Sequence, residues 1–432
     1  MIINKSVGEM FLVGFNGITV TRELEALITK YHIGGVILYS RNMKNVTQLS
    51  RLCHGLQEVR RQVSDTPLII AIDQEGGVVH RGLEGITVLP GNMALGSVGD
   101  DDSAHAAGRI TATELALLGV NVNFAPVLDI SNNPDNPATG VRSFGGDPGL
   151  VSRLGEAMIK GLQEYGIIAC AKHFPGKGNV SVDSHLDLPL NRSSRETLDK
   201  CELMPFKAAI AAKVGMIMTA HVMYPEITES KVLPATLSHN IMTKILRDEM
   251  KYDGVLITDD MEMGAIEKYF TVDECAVGAV QAGNDMIMFC HTPSKQKQAI
   301  QAVNKMAADG KISAERIQSS NMRIHELKAK LLSRSAEYDA VCDAVPVHQM
   351  VSERIGRDSI TIYKNEKHVL PFFLDHDDKL LIIAPKYEVL SQVEEKTEND
   401  DSILDLARIR HENTRVFHID LTPGERDHSI FD

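Results

Sequence analysis

Gly254–Gly264 reads GVLITDDMEMG, an apolar and β-branched run that goes straight into two carboxylates. A continuous apolar run of this length is the signature of a strand buried on both faces, as in a parallel sheet. Asp259 and Asp260 then stand at the C-terminal end of that strand. Seven further runs share the pattern: MFLVGF (10–15), GVILYS (35–40), PLIIAID (67–73), VNFAPVLD (122–129), IACAKH (168–173), MIMTAH (216–221) and DMIMF (285–289). Helical spacing fills the intervals at Thr21–Lys30, Val46–Gln62, Ser103–Leu118, Leu150–Tyr165, Glu196–Ala212, His239–Met250 and Val272–Ala282.

Strands alternating with helices imply an α/β fold, and eight such units in about 300 residues fit a (β/α)8 TIM-type barrel better than an open doubly wound sheet. The polar residues favour the barrel. Asp73, Asp129, Lys172, His173, His221 and Asp259 all fall at the C-terminal ends of their runs, where barrel active sites are built. Helical patterns at Pro293–Asp309 and Ser313–Ser333 complete a catalytic barrel over residues 1–335. Residues 336–346 read as a linker. Residues 347–432 then form a small, incomplete C-terminal α/β region. Its helix-like pieces are Val347–Ile355, Tyr387–Glu394 and Ile403–Ile409, and its strand candidates are Ser359–Tyr363, Lys379–Ala384 and Arg415–Ile419.

Bulk properties narrow the class. A net charge of -13 argues against nucleic acid as the main partner, because phosphate binding needs a basic face. No apolar stretch reaches about 18 residues, so no membrane span is expected. The start lacks a basic segment followed by a long apolar one, and a cytoplasmic protein is the default. The six cysteines include no CxxC pair and read as buried thiols.

A second segment, KHFPGKGNVSVDSH (172–185), carries chemistry of its own. In the D-x-H arrangement Asp183 can hold the His185 imidazole in one tautomer and stabilise its protonated form. Such a histidine can protonate a leaving oxygen and later activate water. The plain alternative is a loop histidine beside a capping aspartate. Metal binding is a third possibility, without support from a second histidine at ligand spacing or from H-E-x-x-H. Pro175, Gly176 and Gly178 make a loop that turns tightly and can deliver His185 over a substrate.

Adjacent side chains leave a strand end in opposite directions, so one aspartate of the 259–260 pair faces the mouth. Asp259 is the candidate nucleophile, able to attack an anomeric carbon. Asp260 is expected to cap the following helix. In DQEGG, Asp73 suits hydroxyl recognition, with Arg81 as a charged clamp nearby. Arg142 lies in a polar loop after the fourth run, where a surface arginine is the alternative.

IDQEGG, NFAPVLDI, GVRSFG, AKHFPGKG, DSHLDLP, MTAHVMYP and GVLITDDMEMGAI occur in an order that resembles glycoside hydrolase family 3, most of all its bacterial β-N-acetylglucosaminidase branch. The resemblance runs from about Val7 to Leu332. It implies a retaining mechanism without metal or organic cofactor. By that resemblance Asp259 is the nucleophile and His185 the general acid/base, with Asp183 as its dyad partner. Asp73, Arg81, Arg142, Lys172 and His173 grip the terminal N-acetylglucosamine, and His221 lies near it.

The chain departs from the family's pattern in three places. After Pro-Gly the family usually has His-Gly-Asp, where this sequence has Lys177, Gly178 and Asn179. The usual R-V-Q-R after DQEGG is Val78, Val79, His80 and Arg81 here. The tail resembles only the opening of the α/β sandwich in longer relatives.

The implied partner is an N-acetylglucosamine-containing oligosaccharide or muropeptide, hydrolysed at its terminal β-linkage. Two alternatives stay open. One is a β-N-acetylglucosaminide phosphorylase, since a neutral histidine base does not repel phosphate. The other is an amino-sugar-binding protein without turnover. A barrel acting on a phosphorylated metabolite would want glycines after the eighth run, and Cys290–Ser294 has none.

Overall fold

The computed structural model describes residues 3–184, 187–228, 230, 232–331, 339–366, 368–371, 373–385 and 402–419. Eight strands form a closed barrel: β1 (Phe11–Gly14), β2 (Gly35–Leu38), β3 (Ile69–Ile72), β4 (Val122–Asn123), β5 (Ile168–Phe174), β6 (Met216–Thr219), β7 (Val255–Asp260) and β8 (Met286–Phe289). Every neighbouring pair is parallel, and β1 closes on β8 with Phe11 opposite Ile287. All strand residues are buried except Asp259, which is partly open at the end of β7. The continuous apolar runs therefore reflect strands covered on both sides.

Three local differences from the sequence pattern have visible causes. The fourth run shortens to two residues, because Pro126 has no N–H to give to a ladder and the chain bends after Asn123. Contact resumes beyond it, where the Leu128 N–H donates to the Lys172 carbonyl at 2.6 Å. The helix expected at Glu196–Ala212 is two helices, Arg195–Lys200 and Leu203–Ala211, the second carrying Pro205 in its first turn where a missing N–H does no harm. A helix not expected, Asn92–Val98, follows the loop after β3.

The linker expected at 336–346 needs correction. From residue 339 onward it is the opening of a helix, Asp339–Asp358, that contains Pro346. Residues 336–338 lie outside the described residues. This helix packs on the barrel's flank. His348 Nδ1 meets Glu114 Oε1 at 2.8 Å, Ser352 Oγ donates to the Val88 carbonyl at 2.6 Å, and Ile355 is fully buried. The first compact unit accordingly runs to Ile360 and the second starts at Thr361. Ser359–Tyr363 is not a strand, since the helix occupies the residues before it and 360–363 run irregularly. In the second unit Leu380–Pro385 pairs in parallel with Thr414–Ile419, with the helix Ser402–Arg410 between them. The expected helical piece at 387–394 lies outside the described residues.

Buried charge pins the end of the barrel opposite the strand C-termini. Glu9, just before β1, takes Arg60 on one carboxylate oxygen and Lys328 Nζ at 2.6 Å on the other. Asp285, just before β8, accepts from the Leu256 N–H at 3.0 Å, Ser320 Oγ at 2.7 Å and Arg247 Nη2 at 2.5 Å. No helix among the described residues is long and apolar enough to cross a membrane.

Candidate active site

Side chains from β3, β5, β7 and the loops after β3 and β4 converge at one end of the barrel. Glu75 is the centre of a charged cluster there. Its two carboxylate oxygens receive Arg142 Nε at 2.9 Å and Nη2 at 2.8 Å, a planar fork meeting a planar acceptor. Lys172 Nζ adds a contact at 2.6 Å. Burial alone would raise the Glu75 pKa, but the Arg142 and Lys172 charges outweigh it and hold the carboxyl well below its usual range. Arg142, also buried, is held above its ordinary value by Glu75 against the cost of desolvation. It is not a surface arginine.

Asp73 extends the cluster outward. Lys172 Nζ bonds its Oδ1 at 2.7 Å and Arg81 Nη2 its Oδ2 at 2.9 Å. The Arg81 guanidinium lies 5.3 Å from the Tyr39 ring centroid. Asp73 and Glu75 are two residues apart, so both can face one way beyond β3. Desolvation disfavours the Lys172 charge, yet Asp73 and Glu75 raise its pKa overall.

Next to this cluster, Asp129 organises the loop after β5. It accepts His173 Nδ1 at 2.6 Å on one oxygen, and the Lys177 N–H at 2.8 Å and His173 N–H at 3.3 Å on the other. Burial pushes the Asp129 carboxyl up, with the Lys177 charge opposing it. Burial and then Lys177 push the His173 imidazole well below its usual value. His173 is thus neutral at pH 7, with Nδ1–H assigned toward Asp129 and Nε2 left as an acceptor. That Nε2 lies 3.9 Å from Asp259 Oδ2. The β5–β6 register shifts between Lys172 and Phe174, where both Lys172 and His173 turn toward the mouth.

The 259–260 pair divides as its position on a strand demands. Asp259 is 15% exposed, faces His173 and accepts the Asp260 N–H on Oδ1 at 2.9 Å. Asp260 turns away. Its Oδ1 accepts from Cys290 N at 3.0 Å and Glu262 N at 3.2 Å, and its Oδ2 meets His291 Nε2 at 3.2 Å. Asp260 therefore closes a turn and ties β7 to the end of β8. The following short helix Gly264–Glu267 has Met263 at its N-cap, so the expected helix-capping role is not the observed one.

His221 is buried behind β7. Nε2 bonds the Asp260 carbonyl at 3.0 Å and Nδ1 the Thr236 hydroxyl at 2.8 Å. Burial lowers its pKa, so the ring is neutral, and both nitrogens are used within the protein. The geometry makes His221 a brace for the end of β7, the strand that carries Asp259.

Asp183 is buried in the loop after β5, and its carbonyl accepts the Asp187 N–H at 3.1 Å. His185 lies outside the described residues. The segment after β7 reaches the same loop. Ala265 N–H donates to the Ser184 carbonyl at 3.0 Å, and Tyr269 Oη donates to Asp187 Oδ1 at 2.6 Å. Neither Glu75 nor Tyr269 was singled out from sequence. Glu75 sits inside the quoted DQEGG block, and its two-residue spacing from Asp73 was the available signal.

Residues 2–327 match the model of the glycosyl hydrolase family 3 N terminal domain. The chain belongs to that family. It is 38% identical over 378 residues to a beta-hexosaminidase A of Pseudoalteromonas piscicida, covering 82% of this chain and 63% of that protein. The family 3 member thus spans less than two thirds of that relative. A beta-hexosaminidase of Alkalilimnicola ehrlichii is 36% identical over 69% of this chain and 84% of its own. Among solved structures, a family 3 beta-N-acetylglucosaminidase from Paenibacillus sp. str. FPU-7 superposes with a TM-score of 0.92 at 40% identity, over 99% of this chain and 81% of that one. NagZ from Neisseria gonorrhoeae, in complex with N-trifluoroacetyl-D-glucosamine, gives 0.68 at 30% identity, over 81% of this chain and 98% of that one.

Proposed function

We propose that this family 3 glycoside hydrolase is a retaining exo-β-N-acetylglucosaminidase that releases terminal β-linked N-acetylglucosamine. The observation that carries the reading is the Asp259 carboxylate, partly open at the end of β7, with its Oδ2 3.9 Å from His173 Nε2 at the same mouth as the Asp73–Lys172–Glu75–Arg142 cluster. A carboxylate set against a row of hydroxyl-binding groups suits attack on a sugar. The names of the relatives support the amino sugar as the substrate class.

In the first step Asp259 attacks C1, the bond from C1 to the leaving oxygen breaks, and His185 gives that oxygen its proton. Asp183 steadies the imidazole through the change of charge. In the second step His185 takes a proton from water, the water oxygen attacks C1, and the ester to Asp259 breaks. One water is consumed and both groups return to their starting states. Asp73, Arg81, Lys172, Arg142 and the His173 acceptor hold the ring hydroxyls. Muropeptides and chitooligosaccharides are the proposed natural substrates.

The test is release of 4-nitrophenol from its β-N-acetylglucosaminide in phosphate-free buffer, beside the β-glucoside. A fluorosugar that traps the intermediate should label Asp259 in the digested protein. Labelling elsewhere, or turnover only with added phosphate, overturns the assignment.

A further inference from the structure

Lys177 lies in the loop that follows β5, between Pro175–Gly176 and Gly178. Its backbone is firmly set. The N–H donates to Asp129 at 2.8 Å, and the carbonyl accepts Asn136 Nδ2 at 2.7 Å and Thr139 Oγ1 at 3.4 Å. Gly178 fixes the next step of the chain, since a Cβ there would stand 1.7 Å from the Ile130 carbonyl oxygen.

The ammonium is treated differently. Lys177 is only 3% exposed, and among the described residues no hydrogen bond or ion pair involves Nζ. Lys172, on the same strand end, is paired twice. An unpaired buried cation is costly, and a site that tolerates one gains when a ligand supplies the missing acceptor.

Its surroundings narrow that ligand. Arg142, Asp259, Asp129 and Asp183 are the charges that act on Lys177, while His173 and His221 both feel its charge. The Lys177 N–H bonds the same Asp129 carboxylate that holds His173, whose Nε2 lies 3.9 Å from Asp259 Oδ2, so Lys177 stands near the carbon that Asp259 attacks in the proposed mechanism. Three carboxylates nearby disfavour a full anion. A neutral oxygen of high acceptor strength takes the N–H without that repulsion. The substituent beside C1 is the one on C2, and the amide carbonyl is the strongest neutral acceptor of an N-acetyl sugar.

We propose that Lys177 is a specificity-determining residue whose ammonium donates a hydrogen bond to the carbonyl oxygen of the sugar's 2-acetamido group. The inference rests on the reading of the site as one for N-acetylglucosamine.

The experiment compares kcat/KM of the wild type and Lys177→Met on the 4-nitrophenyl β-N-acetylglucosaminide and β-glucoside. The ratio of the two should fall about 10- to 100-fold in the variant, the worth of one hydrogen bond to a charged donor, with the loss on the N-acetyl sugar. An unchanged ratio, an equal loss on both sugars, or a loss confined to substrates with an acidic aglycone overturns the proposal. A wild type with no preference for the N-acetyl sugar overturns the proposed function instead. If Lys177→Met does not fold, Lys177→Gln is read by the same ratio.

Discussion

Glu75 and Arg142 meet as two parallel N–H···O bonds, 2.9 and 2.8 Å long, wholly inside the protein. Glu75→Gln leaves the Arg142 charge without its fork and Lys172 with one partner. Breaking a buried pair in this way costs about 3–5 kcal/mol. The pH dependence follows from the depressed Glu75 pKa. Its stabilisation is complete above the unfolded value of 4.5 and is lost as pH falls toward the lower folded value. Thermal melts should show the gap between wild type and Glu75→Gln narrowing below pH 4.5.

On the proposed mechanism Asp259→Ala removes the nucleophile and should lower kcat by about a thousandfold or more on every substrate. His185→Ala should cost about 100- to 10,000-fold on an unactivated disaccharide. On the nitrophenyl glycoside, whose leaving group needs little protonation, the first step should suffer much less. Steady-state rates on the two substrates separate the roles.

Tyr269 and Asp187 join the segment after β7 to the loop that carries Asp183. The Tyr269 bond draws the Asp187 pKa down. Tyr269→Phe should reduce kcat about threefold to tenfold, with KM for the nitrophenyl sugar little changed. Equal kcat in the two proteins would reduce the contact to surface decoration.

Glu9 holds two buried cations, so Glu9→Gln should destabilise the fold by about 3–5 kcal/mol without altering the mouth. Lys328 adds a pH signature. Burial lowers its pKa to about 8 from 10.5, so between those values the unfolded chain binds a proton that the folded chain releases. Lys328 therefore contributes a rise in stability with pH across that range, and Lys328→Met should remove it. Denaturant titrations at several pH values measure both effects.

The eight strands were legible because a strand covered on both faces needs an unbroken apolar run, and little else in this chain has one. Asp259 and Asp73 were legible from their places at strand ends. Partners were not. Arg142 in its loop could have been a surface charge until its fork with Glu75 was seen, and the ring nitrogens of His221 proved to be spent on Thr236 and Asp260. The linker expected over residues 336–346 erred in the other direction. A proline interrupts helix hydrogen bonding, yet the surrounding helix Asp339–Asp358 is held by packing through His348, Ser352 and Ile355. Sequence periodicity records which face is apolar. It does not record which long polar side chains find each other across the barrel.

Closure of β1 on β8, and of Glu9 on Lys328, has a consequence for how the protein is made. A ribosome releases Glu9 some three hundred residues before the lysine that neutralises it, and Phe11 almost as long before its strand neighbour Ile287. Until then the first strand is an open edge and Glu9 lacks one of its two counter-ions. The nascent chain waits partly assembled, since the ring of strands can close only once β8 has emerged and Glu9 gains its second counter-ion only with the later helix that carries Lys328.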